Sequence, residues 1–393
     1  VQWTEEVHLK YGHDLIHWLS DTFSSNPYMS NLFCYCMNLA WLKTILKEHP
    51  GKDIVFVSES RALLSVADII ASENVDSKIY KCGFVKENIR FFCQIGISIF
   101  DGYKSLAFLF VKYIYYACVY KRCRTDKELK DISVIVDTFV FENSFDKPGR
   151  FVNRYFSELH ELLCKTGISV GVLTIFYKIS LKNVRHIFKK IYQSNTRFIL
   201  LEDFLKPIDY LKTLAYPLKR LMCFERVPDF LGINIQPIIN EENWTRINSP
   251  NSILSLLINK LPKRICEKGI SPSIYINWSE NQTIHRAIIA GLHMSFEKME
   301  IIGGKLFIPP ANYLNLFNTN TERDYGYAPD RIITCGKKLK NLFSIYDKDG
   351  SYNVGASFRY GYLRDLIDNN QIHSEDISKR RIISVFLPYS EPI

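Results

Sequence analysis

The chain has 393 residues, 47% of them hydrophobic, 23% charged and 14% aromatic, with a net charge of +9. This is the balance of a folded globular protein with ample material for a core, and it excludes a disordered or low-complexity chain. The moderate positive charge suits anionic lipid or a phosphate-bearing substrate, while the mixing of Lys and Arg with Asp and Glu gives nucleic acid no footing as a partner.

The ten cysteines are scattered, only Cys34 and Cys36 are close, and no Cys/His spacing suits zinc. Reduced thiols in a cytosolic protein without a secretory leader are therefore expected.

In chain order, residues 1–50 read as a helical lead-in with Trp3, Trp18 and Trp41 packed inward. Residues 54–57 form the first strand candidate, followed by a helix over 62–73. Residues 91–120 are largely apolar but interrupted by Asp101, Lys104 and Lys112. The uncharged run that includes 92–100 falls well short of the ~20 residues that a spanning helix needs. A buried core helix is expected there. The alternative is an interfacial helix that sets Lys121, Arg122 and Arg124 against anionic headgroups.

Further strands are expected at 132–136, 169–177 and 197–201, with a helix over 184–193. From 204 to 262 the rhythm breaks at Pro207, Pro217, Pro228, Pro237, Pro250 and Pro262. We read this stretch as a helical insertion. Strands resume at 273–277, 301–308, 331–335 and 352–354. Such alternation predicts an α/β fold, a Rossmann-like parallel sheet with helices on both faces, over residues 51–380. Ligands of such a sheet lie beyond the carboxyl ends of its strands.

The common catalytic motifs are absent: no Gly-x-Gly-x-x-Gly, no Walker loop, no Gly-x-Ser-x-Gly and no His-Glu-x-x-His. Candidate residues come instead from strand ends. Asp137 and Glu142 follow the strand at 132–136. Arg150 and Arg154, four apart, would share a helical face and grip a phosphate or sugar carboxylate. Alternatively they pair with Asp137, Glu142, Asp146 or Glu158 as a structural network.

Glu280, in Trp278-Ser279-Glu280-Asn281-Gln282, is a candidate general base or sugar-hydroxyl ligand. Alternatively Ser279 caps the next helix and Glu280 complements its positive end. His285 and His293, eight apart, are read as packing or surface residues. Gly303-Gly304-Lys305 offers a phosphate cradle or a plain turn. Gly355 and Arg359 read as a hinge, with Arg359 facing a donor phosphate.

Taken in order, several segments resemble bacterial surface-carbohydrate biosynthesis proteins, the GT-B-type glycosyltransferases that build O-antigen or capsule. These are Val57-Ser58-Glu59-Ser60 with Ala62-Leu63, Asp137-Thr138-Phe139, Asn143 to Asp146 through Arg154-Tyr155-Phe156, Glu280-Asn281-Gln282, Pro329-Asp330, and Gly355 to Arg359. The resemblance spans roughly residues 3 to 390. It implies sugar transfer from a nucleotide-sugar donor to a surface polysaccharide or lipid-linked glycan, at the cytoplasmic face of the inner membrane. It calls for no cofactor and no metal.

On this resemblance Glu280, Asp137 and Glu142 are the catalytic candidates, and Arg150, Arg154, Asn281, Gln282, Lys305 and Arg359 the substrate-binding ones. Gly304-Lys305 stands where related enzymes often carry a Gln-His pair. Residues 381–393 resemble the first strand of a donor domain, so the chain reads as the acceptor half of such an enzyme. A second expectation is a non-catalytic glycan- or membrane-associated binding protein that keeps the fold.

Overall fold

The computed structural model describes residues 2–26, 28–73, 79–80, 84–120, 127–147, 150–222, 226–308, 313–356 and 358. Its centre is a seven-stranded, wholly parallel sheet. In chain order the strands are β1 (Val134–Val140), β2 (Val170–Phe176), β3 (Phe198–Ile199), β4 (Ile274–Trp278), β5 (Glu300–Lys305), β6 (Arg331–Thr334) and β7 (Ser351–Val354). They lie side by side as β7-β6-β5-β4-β1-β2-β3. This is the doubly wound 3-2-1-4-5-6 order extended by one strand, with its reversal between β1 and β4. The expected α/β, Rossmann-like architecture is therefore present.

The central strands read as near-continuous apolar runs because both of their faces are covered. On one face Val134, Val136, Val170 and Val172 meet the helices Leu159–Lys165 and Leu181–Gln193. On the other, Ile135, Leu173, Tyr275 and Ile301 pack under Pro250–Glu267, Thr283–Ser295 and the 36-residue helix Phe84–Val119. The charge in that long apolar helix is accommodated by pairing: buried Lys112 lies 2.7 Å from Glu202 and 4.4 Å from the Phe176 ring centroid. Among the described residues no helix is long and apolar enough to cross a membrane.

Between β3 and β4 the chain runs through helices Leu201–Phe204, Pro207–Thr213, Tyr216–Met222, Gln236–Thr245 and Pro250–Glu267. Pro207, Pro237 and Pro250 sit in first turns, where a missing N–H costs nothing. Helices Gln2–Tyr11, Leu32–Glu48 and Arg61–Ser72 build a second core with Gln236–Thr245, centred on Leu39, Leu42, Ala67 and Ile239.

Several sequence expectations need correction. The 54–57 strand is only Ile54–Val55 and pairs with Ile79–Tyr80 outside the main sheet. Val55 and Val57 are each more than two-thirds exposed, so they have no core to join. Trp41 is exposed on the outer face of its helix. Gly303, Gly304 and Lys305 are neither turn nor cradle but lie within β5, where a Cβ on Gly303 would stand 2.7 Å from Pro329 and 2.9 Å from Ser279. Arg359 and residues 381–393 lie outside the described residues, as do Lys121, Arg122 and Arg124.

Gly291 carries a close helix–helix contact over the sheet. A Cβ there would lie 2.4 Å from the carbonyl oxygen of Asn259 in the facing helix. Gly291→Ala is therefore expected to destabilise the protein by about 1–3 kcal/mol through overpacking. Urea unfolding checks this, and an unchanged midpoint would refute the contact.

Candidate functional site

The ladder between β1 and β4 runs through Val134↔Ile274, Ile135↔Tyr275 and Val136↔Ile276, then stops. On their outer sides β1 stays paired with β2 as far as Val140↔Phe176, and β4 with β5 as far as Trp278↔Gly304. The two central strands thus part at their carboxyl ends, which opens a crevice at the reversal point.

Asp137 bridges the root of that crevice. Its carboxylate accepts the backbone N–H of Trp278 at 3.0 Å and the hydroxyl of Tyr275 at 2.8 Å. It sits inside β1 and is 4% exposed, so it does not emerge beyond the strand as expected. The strand continues past Val136 because Thr138 and Val140 still have partners in β2. Burial pushes the Asp137 carboxyl up to about 7, against the opposing pull of its two donors.

Above this root lies a row of aromatic rings drawn from four strand ends. Phe141 and Phe139 leave β1 and meet Tyr177, just past β2, at 5.3 and 5.7 Å between centroids. Tyr155 follows at 6.0 Å from Phe139 and 4.6 Å from Trp278, and Phe307, just past β5, stacks on Trp278 at 5.4 Å. All but Trp278 are at least partly exposed. Lys178, beside Tyr177, holds a positive φ of 52°. Strained non-glycine backbone of that kind concentrates at ligand sites.

Polar groups stand at both ends of the row. At one end the exposed Arg154 guanidinium lies 4.6 Å from the Phe141 ring centroid and donates to Asn143. Exposed Glu142 accepts from Asn183 at the start of the Leu181–Gln193 helix. Arg150 belongs to the short antiparallel pair Phe145–Lys147/Arg150–Phe151, and the helix begins only at Leu159. The two arginines therefore share no helical face; the intervening residues turn, with Asn153 accepting the N–H groups of Tyr155 and Phe156.

At the other end Glu280 is held half-buried. One carboxylate oxygen accepts the Trp278 indole N–H at 2.7 Å, and the other accepts the Gln282 amide at 2.6 Å. Ser279 does not cap the next helix: Gln282 occupies that position and makes no side-chain cap. Asn281, with φ of 50°, donates both ways into the carboxylate of Glu322, at 3.1 and 3.0 Å. Arg286 pairs with the same carboxylate, and both side chains are 2% exposed.

Lys305, fully buried at the end of β5, donates to the Leu316 carbonyl. Burial lowers its pKa to about 7, against the pull of Glu322, Asp347 and Glu280. His285 nearby falls to about 3, through burial first and Lys305 second.

The structure thus brings Glu280, Asn281, Gln282 and Lys305 together at the β4–β5 edge. It sets Glu142 and Arg154 at the β1–β2 edge and buries Asp137 between the two groups. Sequence reasoning missed the aromatic row and the Arg286–Glu322 pair. The rings come from segments as far apart as Phe139 and Phe307, and no local pattern marks them as neighbours. Thr319-x-x-Glu322 does carry a capping-box signal, realised with Thr319 accepting from Glu322 N–H at 3.2 Å.

Among the described residues no cluster of His, Cys, Asp and Glu is arranged to hold a metal. The chain is an α/β protein with a Rossmann-like sheet and a carboxylate-bearing crevice at its reversal point. Family models, curated proteins and solved structures were compared with it, and none matches.

Because Asp137 titrates near 7 when folded and near its ordinary 3.8 when unfolded, the folded protein holds a proton that the unfolded chain releases between those values. Stability therefore falls as pH rises through that window. Asn in its place stays neutral, its Oδ1 able to accept the Trp278 N–H and its Nδ2 to donate to the Tyr275 oxygen. At pH 8 Asp137→Asn should match or exceed the parent protein in thermal midpoint, and at pH 5 that advantage should vanish. A variant clearly less stable at pH 8 would contradict the assignment.

Proposed function

We propose that this chain is the acceptor-side half of a GT-B-type glycosyltransferase, which moves a sugar from a nucleotide-sugar donor to a surface polysaccharide or lipid-linked glycan. The observation that carries the reading is Glu280 at the mouth of the β1–β4 crevice, at one end of a row of partly exposed aromatic rings. Sugar sites need apolar faces for ring C–H groups and a few fixed polar groups for hydroxyls. This crevice supplies both. The order of segments that resembles surface-carbohydrate glycosyltransferases supports the same reading.

In that role Glu280 takes the proton of the acceptor hydroxyl as its oxygen bonds to the donor's anomeric carbon, while the bond from that carbon to the phosphate oxygen breaks and the nucleotide leaves with the electron pair as its phosphate anion. The indole N–H of Trp278 and the amide of Gln282 hold the carboxylate in place. Tyr155 and Phe307 offer ring faces to the acceptor sugar. Arg154, exposed above Phe141, pairs with a carboxylate or phosphate on the substrate. Asp137, bonded on both oxygens and buried, holds the strands rather than a substrate.

One surface also supports work at a membrane. Every exposed residue between 206 and 222 is apolar or a lysine. Ile208, Leu211, Leu218 and Met222 stand at 45 to 79% exposure beside Lys206, Lys212 and Lys219. The acidic residue of the stretch, Asp209, is turned inward onto Arg264 at 2.8 Å. The long helix lies alongside, with the Tyr103 hydroxyl reaching the Leu214 carbonyl at 3.4 Å. An exposed apolar patch edged with lysines, of which Lys206 pairs with Glu267 at 3.0 Å while Lys212 and Lys219 stand exposed beside it, suits an anionic bilayer face.

The second reading, a non-catalytic glycan- or membrane-associated binding protein, uses this same surface and needs no proton transfer. Assayed with nucleotide sugars and lipid-linked glycans, Glu280→Gln should lower transfer by about 10²-fold or more while leaving the melting temperature nearly unchanged. An unchanged rate would remove Glu280, and the absence of transfer by the parent protein would favour the binding role.

For the membrane surface, the double substitution Lys212→Glu with Lys219→Glu should weaken co-sedimentation with phosphatidylglycerol vesicles by about 10-fold or more. Equal binding to neutral phosphatidylcholine vesicles, or no effect of the substitutions, would refute it.

A further inference from the structure

A cavity of about 190 Å³ opens beside the exposed patch at 206–222 and shares no residue with the crevice. Lys212 and Lys219 line it from the helices Pro207–Thr213 and Tyr216–Met222. Lys260 lines it from the Pro250–Glu267 helix, and the partly exposed Leu15, Ile16 and Leu256 supply apolar wall.

The three ammonium groups lack a counter-charge. Among the described residues none of them forms an ion pair, because the acids at hand are taken. Asp209 grips Arg264 through both oxygens, at 2.8 and 3.0 Å, and Glu267 pairs with Arg264 and Lys206. Lys260 donates instead to two neutral oxygens, the Asp209 carbonyl at 2.9 Å and the Thr213 hydroxyl at 3.4 Å. An ammonium has three N–H donors, so one is left for a ligand. Burial first holds the Lys260 pKa below its ordinary value; Asp209 pulls the other way, and repulsion from Lys212 and Lys219 adds to the lowering. The three charges therefore act on one another. Charge of one sign over apolar walls focuses the field and draws in an anion.

We infer that this cavity is a second ligand site, for a phosphate monoester carried on an apolar chain. A water takes about 30 Å³, so there is room for the phosphate group and the first carbons attached to it. The rest of the chain has exposed Leu211, Leu214 and Leu218 to lie against. A monoester carries about 1.5 to 2 negative charges at neutral pH, so it gains more from three lysines than a singly charged diester or sulfate does. Its source at a bilayer, a lipid with a terminal phosphate, rests on the membrane reading above.

Calorimetric titration of the whole chain at neutral pH with hexyl phosphate, hexyl sulfate and inorganic phosphate tests the site without a bilayer. Hexyl phosphate should bind about fivefold tighter or more than hexyl sulfate, which has the same tail and less charge. It should exceed inorganic phosphate, which has no tail, by a similar factor. Lys260→Gln, which keeps a donor for the Asp209 carbonyl, should weaken hexyl phosphate by about tenfold or more, and Lys260→Arg should restore most of the loss. Lys206→Gln, outside the cavity, should change nothing. Vesicles matched in surface charge then separate the sources. Tighter binding to phosphatidic acid than to phosphatidylglycerol, abolished by Lys260→Gln, would show a lipid headgroup in the site. Tight hexyl phosphate with no vesicle binding would sink the membrane surface and leave a site for a soluble monoester. Equal affinity for hexyl phosphate and hexyl sulfate, no binding of either, or hexyl phosphate binding indifferent to Lys260→Gln would overturn the inference, whatever the vesicles do.

Discussion

The parting of β1 from β4 is the constraint on which the rest of the site depends. A parallel sheet wound in both directions has one place where neighbouring strands send their connections to opposite faces, and there the carboxyl ends are left uncovered. Here the ladder stops at Val136↔Ile276. Asp137 then takes up the Trp278 N–H that strand pairing no longer satisfies. An unpaired buried N–H is costly, so a carboxyl at this position is how the crevice can open without losing a hydrogen bond. Everything placed at the mouth, from Phe139 to Glu280, is positioned from that fork.

The two ends of the crevice differ in stiffness. Glu280, Asn281 and Gln282 belong to a network of short bonds tied through Glu322 to Arg286, and through Asn315 to the loop at 313–317. The Arg154–Asn143 and Glu142–Asn183 contacts are single and exposed. Preorganisation favours the carboxylate that need not be repositioned when substrate arrives. In the proposed glycosyltransferase Glu280 on that ground outranks Glu142 as the catalytic candidate, while Asp137 is set aside by its burial and by having both oxygens engaged.

Much of the fold was legible in the sequence, because parallel strands covered on both faces must be apolar and short, and the helices between them periodic. The strands around 134, 170, 274, 301 and 331 were read for that reason. Strand ends were less legible. Asp137 interrupts an apolar run and looks like a terminus, yet β2 continues beside it and the strand goes on. Gly303-Gly304 looks like a turn, yet Gly303 is there because Pro329 and Ser279 crowd the strand, and Gly304 lies tightly against Phe156 and Leu306. Arg150 and Arg154 look helical by spacing, but a hairpin and a turn separate them. Of the site, the Glu280 segment was visible as polar residues following a strand. The aromatic row and Glu322 were not, since their meeting is a product of topology and leaves no local spacing.

The account stands or falls on whether saccharides occupy the carboxyl-edge crevice. Hydrogen exchange followed by mass spectrometry, with a panel of mono- and disaccharides and nucleotide sugars, measures this directly. Slowed exchange in the peptides covering 139–156 and 279–283, with the amino edge of the sheet unaffected, is the predicted result. Protection confined to other segments, or none with any sugar, would contradict it.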